Sequence, residues 1–423
     1  MKSSFLIAAP SSGSGKTTVA RGLMALLTRK GYRVQPFKCG PDYIDTKFHA
    51  AVCGRPSVNL DTFMASPAHV RELFDRYGAD ADVCVAEGMM GLFDGYDRDR
   101  GSCYEIAREL DLPVVLVVDA RSAAYSMAAL LQGFLHFRQD VHFTGVIFNK
   151  VGSGRHAAML RQVCDELGLA CLGCLPKETA LEQGSRYLGL DFSQQVAATQ
   201  LASLMEQHIA WQQIIVNSDS ERCGNGTEGS RNAWKHCPLP HPRRVLVARN
   251  DESFSFLYQE TLDCFGQVTF FDPEHDMPGF DDIDLLYLPG GYPEKHLEAL
   301  VANEPCRKAI RAFAGAGGHI VAECGGMMYL CERIVTDDGC FPMCGVLPYA
   351  ITARKADRRL SLGYRQFTLD GREYRGHEFH YTQFLGETPR SVAQVCDAKG
   401  QPVATPVLKY KNVLASYTHL YAR

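Results

Sequence analysis

The first half of the chain alternates short apolar runs with stretches whose apolar residues recur every three or four positions. The runs are SFLIAAP, YRVQPFK, DVCVAEG, PVVLVVDA and FTGVIFNKV, each followed by helix-patterned sequence. Short runs rich in valine, isoleucine and phenylalanine predict buried strands, and the helical stretches between them predict crossovers. Together they predict a parallel sheet with helices on both faces. A second alternation begins at RRVLVARN and continues through QVTFFDP, IDLLYLPGG and GHIVAEC. Between the two, over 217–242, periodicity stops and Gly, Ser, Asn and Pro accumulate. That segment reads as an interdomain linker. The chain is therefore expected to hold two α/β domains, 1–216 and 243–423, with no internal repeat relating them.

Length supports the division, since 423 residues exceed what one ordinary core holds. With 46% apolar and 22% charged residues the chain has material for buried sheets. Its 44 basic and 48 acidic residues leave a formal charge of −4, with no basic stripe for nucleic acid and no lysine-rich membrane face. Sixteen cysteines lack the regular spacing of a disulfide framework, so most read as buried thiols in a reducing cytoplasm. The apolar stretch near the start is too short for a secretory signal and runs straight into a glycine-rich loop. No later run is long or apolar enough to cross a bilayer.

That loop is the first candidate for chemistry. Pro10-Ser11-Ser12-Gly13-Ser14-Gly15-Lys16-Thr17-Thr18 follows a predicted strand and precedes VARGLMALLTRKG, a helical pattern. Glycines let backbone N–H groups approach phosphates, a helix N-terminus favours negative charge, and a lysine reaches the terminal phosphates. Residues Ser12 to Thr18 are therefore the expected ATP cradle, with Thr17 as a Mg²⁺ ligand. Pro10 stands where such loops ordinarily have their first glycine. Acidic residues gather at nearby strand ends: Asp42 and Asp45 in GPDYIDT, Glu87 and Asp94 in EGMMGLFD. Asp45 and Glu87 are the first choices to complete the Mg²⁺ shell, although a helix cap or turn explains any single aspartate equally well. Asn149, at the end of FTGVIFNKV, either reaches the adenine or forms a turn.

The second half offers a nucleophile. In GHIVAECGGMMYL a strand meets a helix with Cys324 at the corner, and Gly325 and Gly326 permit the sharp turn. The helix N-terminus is expected to stabilise a thiolate there. Upstream, LPGGYPE closes another strand, so the amides of Gly291 and Gly325 are candidates for an oxyanion hole. His419, in ASYTH, is the candidate base that takes the thiol proton and returns it to departing ammonia. Two positions after His419 stands Tyr421 rather than a carboxylate, which leaves the residue that would orient the histidine unassigned. His377, Glu378 and His380 in RGHEFHY lack zincin spacing and read as substrate-facing or structural strand residues. Cys171 and Cys174 would point to opposite faces of a strand and pack in the core.

Taken together, the phosphate loop, GPDYIDT, EGMMGLFDGY, LPGGYPE, AECGGMMYL, RGHEFHY and ASYTH, in this order, resemble the cobyrinate a,c-diamide synthase family over nearly the whole chain. The resemblance implies an N-terminal ATPase domain similar to dethiobiotin synthetase and a C-terminal domain similar to class I glutamine amidotransferases. It implies Cys324 as nucleophile and His419 as the residue that raises its nucleophilicity. Asp42, Ile44, Asp45, Glu87 and Asp94 align with positions linked to nucleotide, Mg²⁺ or substrate, and Lys38, which ends the strand before GPDYIDT, joins the phosphate-handling set. The expected partners are ATP, L-glutamine and cobyrinate or a related tetrapyrrole, with self-association into a homodimer left open. ATP would activate a carboxylate as acyl phosphate, and ammonia from glutamine would amidate it behind an interface that excludes water. Two other readings remain: nickel sirohydrochlorin as the macrocycle, or a regulatory ATPase carrying an inactive amidotransferase-like module. The second usually shows an additional lysine early in the loop, and none lies between Lys2 and Lys16.

Overall fold

The computed structural model describes residues 3–177, 198–218 and 243–421. The chain divides into two compact units, Met1–Ser230 and Arg231–Arg423. In the first, α8 (Trp211–Asn217) runs into the start of the segment read as a linker, whose residues beyond Ser218 fall outside those described.

The first unit carries strands β1 (Ser3–Ala8), β2 (Val34–Cys39), β3 (Val58–Leu60), β4 (Val83–Glu87), β5 (Val114–Asp119), β6 (Phe143–Val151) and β7 (Cys171–Pro176). All pair parallel, in the order β3-β2-β4-β1-β5-β6-β7. Each predicted run became a strand. The three-residue β3 was missed because it is too short to show a period. Helices α1 (Lys16–Arg29), α2 (Asp45–Cys53), α3 (Pro67–Gly78), α4 (Cys103–Leu110), α5 (Met127–Phe137), α6 (Gly154–Leu167) and α7 (Ala198–His208) alternate with the strands or follow them. Strand β1 lies between β4 and β5, where the strand order reverses. Ligands of open α/β sheets bind at such a point, beyond the carboxyl ends of the strands. Val19, Leu23 and Leu26 of α1 pack on Phe5, Ile7, Val85 and Val115, fixing the helix that the glycine loop feeds.

The second unit carries β8 (Arg244–Ala248), β9 (Gln267–Phe271), β10 (Leu285–Leu288), β11 (Ile320–Glu323), β12 (Cys331–Val335), β13 (Cys340–Pro342), β14 (Leu347–Thr352), β15 (Ser361–Leu369), β16 (Arg372–His380), β17 (Gln383–Phe384), β18 (Val407–Tyr410), β19 (Val413–Ser416) and β20 (His419–Leu420). Its main sheet runs β18-β19-β11-β10-β8-β9, parallel except at β18–β19. Two smaller sheets, β13-β12-β14-β17 and β15-β16-β20, hold the remaining strands. Helices α9 (Gln259–Asp263), α10 (Leu297–Ala302), α11 (Glu304–Gly315) and α12 (Gly325–Leu330) complete the unit. Leu286, Leu288, Ile320 and Ala322 of the central strands bury against Ile310, Met327, Met328 and Tyr329.

Candidate functional site

In the first unit the glycine loop leaves β1 and turns into α1 through Gly13 and Gly15, at φ 78° and 99°. Both angles lie in the left-handed region that favours glycine. A side chain at Gly15 would also strike Asn149, whose Nδ2 lies 2.1 Å from the position a Cβ would take. Asn149 Nδ2 donates to the Ser14 carbonyl at 3.0 Å, so this residue braces the loop. Ser12 and Gly13 are exposed, whereas Ser14 and Lys16 are buried. Thr18 is half-buried on the first turn of α1. Lys16 Nζ donates to the Met90 carbonyl of the EGMMGLFD loop. Burial pulls the Lys16 pKa down.

Beneath the loop the expected carboxylates meet in one buried cluster. Thr17 Oγ1 donates to Glu87 Oε1 at 2.7 Å. Lys38 Nζ lies 2.7 Å from Asp45 Oδ2 and 3.0 Å from Glu87 Oε1. His49 Nε2 sits 2.7 Å from Glu87 Oε2. Burial and the nearby Asp45 push the Glu87 pKa up, but Lys38 and His49 outweigh them and the net shift is downward. Arg21, buried on α1 with its guanidinium 4.6 Å from the centre of the Phe48 ring, adds positive charge facing Asp45 and Glu87. One hydroxyl and two carboxylates beside a phosphate cradle suit Mg²⁺, which takes few protein ligands and fills its shell with phosphate oxygens and water. Among the described residues no group of three or more His, Cys, Asp or Glu side chains is arranged to hold a metal by itself.

The other residues expected here serve the backbone. Asp42 Oδ1 accepts from the amides of Ile44 and Asp45, both at 2.9 Å, and so sets the start of α2. Ile44 is the N-cap residue of that helix. Asp94 Oδ2 accepts from the Gly91 amide at 2.9 Å and holds the loop that meets Lys16. Sequence reasoning missed His49 and Arg21. Each sits one helical turn or more beyond its motif, and only folding places it against Glu87 and Asp45.

In the second unit Cys324 lies between β11 and α12 at φ 45°, ψ −107°, a strained conformation for a side-chain-bearing residue. Its amide donates to the Ser416 carbonyl at 2.8 Å, which ties the corner to β19. Close packing explains the glycines around it. A Cβ on Gly325 would lie 2.8 Å from the Gly291 carbonyl and 3.0 Å from the Gly291 nitrogen, and one on Gly326 would lie 2.1 Å from the Leu288 carbonyl. The LPGG loop and the cysteine corner therefore press together backbone to backbone. His419 closes the group: a Cβ on Gly290 would come within 2.1 Å of its Cε1 and 2.8 Å of its Nδ1.

One expectation fails here. The cysteine is not held as a thiolate, because burial, followed by Glu294, pushes the Cys324 pKa well above its ordinary value. Helix α12, at six residues, is too short to offset that. Burial likewise lowers His419 to about 3 and raises Glu323 to about 8. Glu294 is also raised by burial, and its Oε2 has no hydrogen-bond partner among the described residues.

RGHEFHY lies in β16, which pairs with β20 so that His377 faces His419 in register. Glu378 is saturated: Arg365 Nε at 2.6 Å, His380 Nε2 at 2.7 Å, Ser361 Oγ at 2.8 Å and Thr405 Oγ1 at 2.5 Å. His380 also stacks on Tyr417 with ring centres 3.6 Å apart. These contacts give Glu378 and His380 a structural role. The opposite-face reading of Cys171 and Cys174 is overturned, since both pack with Cys164 in one apolar cluster where the β6–β7 register shifts, while the expected core packing holds.

Comparison with known proteins agrees with this division. Residues 5–190 match the family described as the CobQ/CobB/MinD/ParA nucleotide binding domain, and residues 247–423 match the CobB/CobQ-like glutamine amidotransferase domain. The hydrogenobyrinate a,c-diamide synthase of Brucella suis is 40% identical over 436 aligned positions covering 98% of both chains. The protein of the same name from Rhodobacter capsulatus is 39% identical with 98% of both chains covered. That of Pseudomonas aeruginosa is 38% identical, with 98% of this chain and 94% of the relative covered. No helix among the described residues is long and apolar enough to cross a membrane.

Proposed function

The chain belongs to the hydrogenobyrinate a,c-diamide synthase family, and from that premise we propose that it is a glutamine-dependent, ATP-driven ligase that amidates the a and c acetates of hydrogenobyrinate or cobyrinate in cobalamin biosynthesis. The observation that carries this reading is a strained cysteine corner packed against the LPGG loop in one unit of a chain whose other unit bears a phosphate loop. Relatives matching almost end to end carry the hydrogenobyrinate name, so nickel sirohydrochlorin and the regulatory-switch reading are not favoured.

In the first unit the amides of residues 12–18 and the Lys16 ammonium hold the ATP phosphates. Thr17, Asp45 and Glu87 would hold Mg²⁺, which when bound neutralises charge on the transferring phosphoryl group. Lys38 keeps the two carboxylates together, and Asn149 keeps the loop in shape. Asp42, Ile44 and Asp94 set the loops that border the substrate. An acetate oxygen of the macrocycle attacks the γ-phosphorus and ADP leaves, giving an acyl phosphate.

In the second unit Cys324 Sγ attacks the side-chain amide carbon of glutamine while its proton passes to His419. The oxyanion is met by the amides of Gly291 and Gly325. Collapse of the adduct expels ammonia, which takes the proton from His419, and water cleaves the thioester to give glutamate. Ammonia then displaces phosphate from the activated acetate. No disulfide forms among the described cysteines, and a reducing cytoplasm is the compartment we propose for the enzyme.

The test offers the protein ATP, Mg²⁺, glutamine and each of hydrogenobyrinate, cobyrinate and nickel sirohydrochlorin, and follows mass for two successive acid-to-amide changes. Cys324→Ala should abolish amidation from glutamine and retain it from ammonium salts. Loss of both, or no mass change with any macrocycle, would overturn the proposal.

A further inference from the structure

Related chemistry elsewhere gives a catalytic histidine a carboxylate that fixes its ring and stabilises the imidazolium formed when it takes a proton. The position two residues after His419 holds Tyr421 instead, so this chain must find that group elsewhere or do without it. The structure supplies one from a different strand. Glu323 ends β11, immediately before the nucleophile. Its Oε1 accepts the Leu420 amide at 3.1 Å, a bond that anchors the carboxyl to β20 beside His419. Its Oε2 then lies 4.0 Å from His419 Nδ1, with both side chains buried. The Tyr287 hydroxyl on β10 donates to the same carboxyl. A distance of 4.0 Å is an ion-pair contact rather than a hydrogen bond, and catalytic hydrogen bonds often shorten only when substrate binds.

We propose that Glu323 is the positioning residue of the glutaminase site, holding the His419 ring through Nδ1 so that Nε2 serves the Cys324 thiol, in place of a carboxylate that follows the histidine. The inference rests on the reading of Cys324 and His419 as a glutaminase pair. During attack the thiol proton moves to His419 Nε2. The imidazolium charge is shared with Glu323 through the Nδ1 proton, which stays on the ring. When ammonia departs it takes the Nε2 proton and the pair returns to its starting state. Glu323 itself touches neither glutamine nor ammonia.

The ionisable groups that face Glu323 are His419 from β20, Tyr287 from β10 and its own neighbour Cys324, with His377, His380 and Glu378 of β16 acting through His419. Burial raises the Glu323 carboxyl to about 8, so its support for the imidazolium grows as it ionises. Glutaminase kcat should therefore climb on the alkaline side.

The experiment measures glutamate release and ammonia-dependent amidation in wild type, Glu323→Gln, Glu323→Asp and Tyr287→Phe across pH 6 to 10, with Cys324→Ala as the reference. Glu323→Gln should lower glutaminase kcat roughly 10²-fold with little change in KM, abolish the alkaline rise and spare ammonia-dependent amidation. Glu323→Asp should recover part of kcat. Tyr287→Phe removes a bond that favours the carboxylate, so it should move the rise to higher pH at unchanged plateau. A Glu323→Gln kcat within threefold of wild type, or a Tyr287→Phe profile that does not move, overturns the assignment. Should Glu323→Gln lose both activities, the Tyr287→Phe profile decides. If Cys324→Ala still hydrolyses glutamine, the glutaminase reading itself fails; if only the Glu323 and Tyr287 effects are missing, that reading stands without this residue.

Discussion

Gly290→Ala isolates the placement of His419. Gly290 has no positive φ to lose, so alanine costs its backbone nothing there. The new methyl would instead lie 2.1 Å from His419 Cε1, 2.8 Å from Nδ1 and 3.1 Å from Nε2. Bringing the nearest contact out to the 3.4 Å where ordinary packing begins requires about 1.3 Å of movement. The backbone cannot supply it easily, because the Gly290 carbonyl accepts from Ser255 and Phe256 at 2.8 and 3.0 Å. The ring must therefore move, and it is confined by Phe256, 5.7 Å away between centres, and by the strand carrying His377. Misplacing a reacting group by about 1 Å costs roughly 10²-fold in rate. Overpacking of this kind costs about 1–3 kcal/mol of stability, or about 2–4 °C in Tm per kcal/mol for a unit of this size. Glutamate release by Gly290→Ala should thus fall about 100-fold while ammonia-dependent amidation stays near wild type, with Tm read by calorimetry as the control. Glutaminase activity within threefold of wild type would refute the claim that His419 acts from this position.

Gly15→Ala should fail in the other unit, because its φ of 99° disfavours any side chain and the methyl would meet Asn149. ATP binding measured by titration calorimetry should weaken at least about tenfold while glutamine hydrolysis persists, since a strained glycine substitution costs more than about 1 kcal/mol. Stability should also depend on His377, which burial, then Arg365, holds at about 3 against an ordinary 6.5. Between those values the unfolded chain binds the proton and the folded chain does not, so stability falls as pH drops from 6.5 toward 3, by up to about 1.4 kcal/mol per pH unit for this group. His377→Gln should flatten that slope by about one proton in urea midpoints taken at pH 7, 6 and 5.

Much of this architecture was legible because the chemistry is local. A phosphate loop needs a strand, glycines and a lysine in succession, and Ser3 to Thr17 carry all three in one short stretch. Cys324 was legible for the same reason, since the glycines that allow its corner are its neighbours. His49, Arg21 and Glu323 were not, because nothing beside them in sequence marks them. His49 becomes a partner of Glu87 only when α2 packs on β2 beside β4, and Glu323 meets His419 only when the chain returns almost a hundred residues later. The thiolate expectation failed for a related reason. A helix start is visible in sequence, but the desolvation that outweighs it depends on β16, β19 and the LPGG loop closing around the sulfur.

The two sites also treat charge in opposite ways, and the difference follows from what each must do. Under the phosphate loop, Lys38 lies against Asp45 and Glu87 in the interior, and Glu87 is held down by its cationic neighbours against the pull of burial. Fixed cations suit a site whose ligand arrives already carrying negative charge, because the field is in place before binding. Around Cys324 burial does the reverse: it raises the thiol, Glu323 and Glu294 and lowers His419, so it favours the uncharged form of each. A buried thiolate–imidazolium pair formed in advance would cost several kcal/mol in desolvation. Leaving the pair neutral defers that cost until the amide carbonyl lies among the loop amides, where the developing oxyanion compensates it. The thiolate is also the form that oxidants attack, so a resting thiol protects the nucleophile between turnovers. A variant that merely made Cys324 more acidic should therefore gain sensitivity to peroxide without gaining glutaminase rate, since departing ammonia still needs a proton from His419.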